Sequence, residues 1–188
     1  MSAGESIVSA FKVRTLGVGE VVLREPIRGP MIEESVLTLV QANPTTVRVD
    51  GPLGPVGIVT ATNPSWTAGR FSRVWAEIRE WRDRPLLARV LAPGWTTGWE
   101  IIDADDATLG AWPALGGAPR VGDRELGQLV RRPGETSWEL KDFGRLVVWK
   151  HLKGATEVHF EPAWPHHAVR LTALGIALAE SVRAGSIT

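Results

Sequence analysis

The chain has 188 residues, enough for one domain with a substantial core and too few for two full ones. Its 21 basic side chains balance 21 acidic ones, which removes the global attraction of a dedicated nucleic-acid binder, so no nucleic-acid partner is expected and any anion site must be local. It has no cysteine, which excludes disulfides, thiolate metal sites and cysteine nucleophiles.

The first stretch, Met1 to Gly17, lacks a basic leader followed by a sustained apolar run and a small-residue cleavage site. It does not read as a signal peptide, and a cytoplasmic location is expected. Gly17 to Val22 holds two glycines of a dinucleotide fingerprint but neither the third nor a βαβ frame. From there the chain reads as short β-type segments punctuated by Gly, Pro, Asn and Asp. Ser35 to Gln41 alternates like a strand, Ala42 to Pro44 turns the chain, and Thr45 to Val49 follows. After the turn Asp50 to Pro55 comes a strand from Val56 to Thr62, broken by Asn63 to Gly69.

Arg70 to Trp81 fits two periods. Phe71, Val74, Trp75, Ile78 and Trp81 share a helical face, whereas Ala76, Ile78 and Glu80 alternate as in a strand; the count slightly favours helix. Pro85 to Ala92 and Thr96 to Asp103 read as a hairpin around Pro93 and Gly94, and Ala107 to Trp112 returns. Pro113 to Arg124 is a loop by composition. Four more strands are expected at Glu125 to Arg132, Thr136 to Asp142, Arg145 to Leu152 and Thr156 to Pro162.

Ala168 to Ser181 closes the chain with a helix that has no charge between Arg170 and Glu180 and no polar sector. A bilayer needs about 20 predominantly apolar residues, so this segment is too short to span and belongs in a core. A helix that is apolar all round needs apolar contact on all sides, and a closed sheet supplies it. About eight to ten expected strands and one wholly apolar helix therefore point to a barrel around a central helix.

Taken in order, Gly69 to Asp83, Pro85 to Gly110, Ala155 to Pro162 and His166 to Ser181 resemble the tubby-like superfamily, in particular its LURP-one-related and phospholipid-scramblase-like bacterial members. The resemblance covers about Glu34 to Arg183, within one domain spanning 1–188. It implies a closed antiparallel barrel of about 12 strands wrapped around a hydrophobic helix at about 166–183, and it moves Ala76 to Trp81 towards strand. It also implies a non-enzymatic protein that binds membranes or anionic lipid headgroups peripherally. The scarcity of lysine and the Ala, Gly, Val and Arg richness fit a high-GC bacterial source.

Arg131, Arg132, Arg145, Lys150 and Lys153 lie on neighbouring expected strands and turns, and are the candidates for an anion or lipid site. Solvated charge on a strand face explains the same residues. Asp103 to Gly110 begins like a calcium loop, but the spacing then fails, with Thr108 at the glycine position and Ala114 at the bidentate position; a polar hairpin turn is the reading. His151, His159, His166 and His167 lack a ligand motif, so no metal and no cofactor is expected. No nucleophile elbow is present and no catalytic residue is assigned. Trp75, Trp81, Trp99, Trp112, Trp138 and Trp149 are expected mostly as wall packing, with Trp66 and Trp95 as surface candidates. Two rival readings are a protein-interaction module using exposed Trp and Arg, and a small-ligand carrier or cyclase-type barrel with His159, Glu161 or Asp103 near a cavity. Nothing in the sequence sets an oligomeric state.

Overall fold

The computed structural model describes residues 30–62, 74–81, 85–92, 98–113, 117–161 and 166–188. Gly17 to Val22, Trp66, Trp95 and the turn at Pro93 and Gly94 lie outside the described residues. A four-residue helix α1 (Pro30–Glu33) comes first and a 17-residue helix α2 (His167–Arg183) last. Between them run β1 (Val36–Asn43), β2 (Thr46–Gly51), β3 (Gly54–Ala61), β4 (Val74–Glu80), β5 (Leu86–Leu91), β6 (Trp99–Asp103) and β7 (Thr108–Trp112). Then follow β8 (Arg120–Val121), β9 (Arg124–Glu125), β10 (Gln128–Arg132), β11 (Glu135–Leu140), β12 (Gly144–Leu152) and β13 (Ala155–Phe160).

These strands form a single 13-stranded antiparallel sheet in which sequence neighbours pair, except that β13 returns beside β1 and β9 is not laddered to β10 among the described residues. The order therefore begins at β10 and ends at β9. Alternation sets the faces: Leu37 and Leu39, Val47 and Val49, and Thr156 and Val158 are fully buried, while the residues between them are partly exposed. Helix α2 touches β6, β7 and β8 near one end of the order and β12 and β13 towards the other, so the sheet curls around it. Leu174, Ile176 and Leu178 are buried on successive sides of the helix, each contributing about 1.5–3 kcal/mol by leaving water.

Two close approaches let helix and sheet meet. Gly110 on β7 faces Thr172, and Gly175 on α2 faces the Trp112 ring; a methyl group at either would sit within 2.8 Å of its neighbours. At the helix end Gly185 takes φ +71°, and the Ser186 and Gly185 N–H groups return to the carbonyls of Ser181 and Val182. This double return satisfies carbonyls that the helix leaves open.

The structure corrects the helical period at Val74 to Trp81. β4 buries Trp75, Ala76, Ile78 and Glu80, with bulges that shift the register between Val74 and Ala76 and between Ile78 and Arg79. Two adjacent buried residues at a bulge imitate a helical face in a linear count. Pro113 to Arg124 is not all loop, since β8 lies within it, and the strand expected at Glu125 to Arg132 is divided at Gly127, φ +59°.

The turns lie at two ends. The β1–β2, β10–β11 and β12–β13 turns gather at the C-terminus of α2, where Gln41 N–H bonds Gly154 O, His151 N–H bonds Gly134 O, and Gln41 Nε2 bonds Thr188 O. The β2–β3, β6–β7, β8–β9 and β11–β12 turns lie at the opposite end with α1.

Candidate anion-binding site

All five cations singled out in the sequence fall on β10, β12 and the turn that follows β12. The register pairs Arg132 with Glu135, Glu139 with Arg145, and Lys150 with both Glu135 and Glu157. Thr136, Trp138 and Trp149 point inward, so Arg132, Arg145 and Lys150 stand on the outer wall, interleaved with carboxylates. Arg132 Nη1 lies 2.8 Å from Glu139 Oε1 and 2.9 Å from Ser137 Oγ, and Arg145 Nη1 lies 3.1 Å from Glu135. The hydrogen bond from Arg132, then that from Ser137, holds the Glu139 carboxyl below its usual range. Solvent screens such wall pairs, which tie the three strands together side by side without much net stabilisation.

Arg131 is placed differently. Opposite the inward Thr136, it runs behind the sheet to α2 and forms a two-pronged pair with Glu180, at 2.7 Å from Nη2 to Oε1 and 3.0 Å from Nε to Oε2. Arg183, one helical turn on, adds a 2.7 Å contact to the same carboxylate. Glu180 is 5% exposed; burial pushes its carboxyl up, but the hydrogen bonds and charges of Arg131 and Arg183 outweigh this and hold it low. Lys150 and Lys153 are exposed.

Beside this pair the interior is polar. Ser181 Oγ donates to Thr156 Oγ1 at 2.7 Å, while the His151 ring lies 3.1 Å from Thr136 Oγ1 and 3.4 Å from Thr156 Oγ1. Burial pushes the His151 imidazole down; the Glu180 charge opposes this and the Arg183 charge adds to it. Such a ring is a neutral hydrogen-bonding bridge at neutral pH. On the outer side of the same strands, towards the α1 end, an open cleft of about 550 Å³ is lined by Gly127, Gln128, Glu139, Leu140, Lys141 and Gly144.

At the α1 end two further ionisable groups enter the core. Arg170 Nη1 donates to the carbonyls of Ile32 at 2.7 Å and Glu34 at 2.6 Å, and the guanidinium lies 4.8 Å from the centre of the Phe160 ring. Glu80, on β4, accepts from the Met31 N–H; burial first, then the nearby Glu33 charge, pushes its carboxyl up. Together they clamp the main chain of α1, whose Met31 side chain is fully buried against Gly57.

Sequence reasoning passed over Glu180, Arg183, Arg170 and Glu80. The signal was available for two of them, since Arg170 and Glu180 bracket the uncharged run of a buried helix, and charges so placed must find partners. Asp103 behaves as a turn residue, its Oδ1 accepting from the N–H groups of Asp105 at 2.9 Å and Ala107 at 2.8 Å. His159 bonds Glu157 at 3.0 Å on the outer wall. Trp75, Trp112, Trp138 and Trp149 are buried, and Trp81 is exposed just beyond β4. No helix is long and apolar enough to cross a membrane among the described residues.

The geometry defines a mainly β chain, a large antiparallel sheet with a C-terminal helix in its core and a concentration of cations on β10, β12 and the helix end. Comparison with protein-family models, curated proteins and solved structures finds no match to it.

Proposed function

We propose that the protein is a non-enzymatic, tubby-like barrel of the LURP-one-related and scramblase-like kind, which associates peripherally with anionic membrane surfaces. Closure of the barrel is supported by the course of residues 124–132. Arg124 and Glu125 pair with β8, Leu126 N–H continues to Pro119 O, and Gln128 to Arg132 pair with β11. A single bent segment thus pairs with both ends of the sheet, which is how a barrel removes its edges.

The observation that carries the lipid reading is the arithmetic of charge at the helix end. Two guanidiniums, Arg131 and Arg183, share the single carboxylate of Glu180, and Lys153 stands exposed in the β12–β13 turn at the same end. One guanidinium charge and one ammonium charge are left over in a chain of zero net charge, so the attraction for an anion is local. The test is co-sedimentation of the purified protein with phosphatidylcholine vesicles and with vesicles that also contain phosphatidylglycerol, at low and physiological salt. Binding that requires the anionic lipid and weakens with salt is the expected result. No sedimentation at either salt refutes the reading.

A further inference from the structure

The cations that wall carboxylates do not match, Arg183 and Lys153, face one end. Along the sheet, β10 to β13, β1 and β2 are consecutive, so the turns at Pro133–Gly134, Lys153–Gly154 and Asn43–Thr45 stand side by side, with the segment after α2 between them. None of these turns, and none of the residues from Arg183 to Thr188, is Asp or Glu. Arg183 is 54% exposed here, Lys153 lies in the middle turn, and Leu152 beside it is a large apolar residue left 47% exposed. The opposite end leans the other way: its turns carry Asp105, Asp106, Asp123 and Asp142 against Lys141, with Arg89 reaching Asp106, and Glu33 of α1 and Glu34 just after it add two more carboxylates.

The outer wall between the ends is balanced. Arg132 and Arg145 are spent on Glu135 and Glu139, and Lys150 is flanked in register by Glu135 and Glu157. Such a molecule has a charge axis running along α2. In front of an anionic lipid surface this axis orients it, because the acidic end is repelled and the basic end attracted over roughly a Debye length of about 8–10 Å.

We propose that the protein docks on anionic membranes end-on, with the β12–β13 turn and the C-terminus of α2 against the headgroups, Arg183 and Lys153 meeting the phosphates, and the Leu152 side chain entering the interface. This rests on the membrane reading above and names its surface. It removes Arg145 and Lys150 from the contact and adds Arg183 and Leu152. Among the large apolar side chains exposed at turns, Leu53 and Phe143 lie on the acidic end and serve as internal controls.

Because the chain has no cysteine, a solvent-sensitive fluorophore can be attached at one chosen position. Leu152→Cys and Leu53→Cys, each labelled, are titrated with phosphatidylglycerol-containing vesicles, alongside unlabelled wild type, Lys153→Glu and Arg145→Gln in co-sedimentation. The expected result is a blue shift at position 152 and none at 53. Lys153→Glu should weaken binding about 25-fold, two charge units at about fivefold each, and Arg145→Gln should leave it within about twofold. Wild type that sediments while the probe at 53 responds and that at 152 is silent overturns the end-on geometry and leaves the membrane reading standing. Equal binding by Lys153→Glu and wild type does the same. Wild type that fails to sediment refutes the membrane reading, and the docking surface with it.

Discussion

The contact between Gly110 and Thr172 is the most demanding test of the helix-in-sheet packing. A methyl group at residue 110 would lie 2.7 Å from the Arg120 carbonyl oxygen and 2.8 Å from Thr172 Cγ2, and nearer still to Thr172 Oγ1. Ordinary van der Waals contact for such a carbon begins at 3.4 Å. The Arg120 carbonyl belongs to β8 and cannot rotate away, so Gly110→Ala must push β7 from β8 or from the helix. Overpacking of this kind costs typically about 1–3 kcal/mol, and a clash with both backbone and side chain belongs at the upper end, about 3 kcal/mol. For a chain of this size that lowers Tm by about 6–12 °C. Thr172 supplies an internal control, because its buried hydroxyl has no hydrogen-bond partner among the described residues. Thr172→Ala therefore loses a buried methyl worth about 0.8 kcal/mol but also removes an unsatisfied polar group, and should be close to neutral. In the double variant only the Arg120 clash persists, so about 1–2 kcal/mol should be recovered as coupling. Urea unfolding followed by the fluorescence of the buried tryptophans measures all three. A cost below about 0.5 kcal/mol for Gly110→Ala, or strict additivity in the double variant, would refute the close approach of α2 to β7.

Two other variants probe the buried charges. Glu80 has a raised carboxyl pKa in the folded state, so its contribution is greatest below the unfolded value near 4.5 and is lost as pH rises through the folded value. Glu80→Gln, which keeps the shape and removes the charge, should gain stability relative to wild type between pH 4 and pH 7; an unchanged difference in urea midpoint across that range would contradict the assignment. Glu180 has the opposite sign: with its folded pKa lowered, it stabilises above the unfolded value near 4.5, and that contribution is lost as pH falls through the folded one. Glu180→Gln should destabilise by about 2 kcal/mol at neutral pH, below the 3–5 kcal/mol of a fully buried broken pair because Arg131 and Arg183 both reach water, and the deficit should close in acid.

The parts of the fold legible in the sequence are those where one local rule acts alone. β1, β2 and β13 alternate between a buried and a more exposed side, and the expected strands fall within a few residues of the observed ones. α2 is legible because no polar sector interrupts it. The reading fails where two rules compete. In β4 the bulges put Trp75 and Ala76 on the buried side together, so the period is no longer two. β8 is two residues long and pairs only because β7 and β9 hold it, so its composition is that of a loop. The basic cluster was legible as a group of residues, since adjacent strands in a meander bring their charges together. Which of them are free was not. That depends on Glu180, 49 residues from Arg131 in the chain, and on a two-residue alternation that turns Arg131 inward and Arg132 outward.

The same polar anchors decide how the apolar helix can be used. Arg170 at its first turn is held by two main-chain carbonyls more than 130 residues away, and Glu180 near its last turn is held by two guanidiniums. Transfer of α2 into a bilayer would break both sets at once and move two ionisable groups into hydrocarbon, each at a cost of several kcal/mol. The helix would still be short, 17 residues against the about 20 that a span requires. The apolar run Leu171–Ala179 is therefore consumed by the sheet, and membrane contact, where it occurs, must use the outside of the molecule. That requirement separates the two modes in one measurement: a surface contact through Arg183 and Lys153 is salt-dependent and needs anionic lipid, whereas insertion of α2 would be indifferent to both.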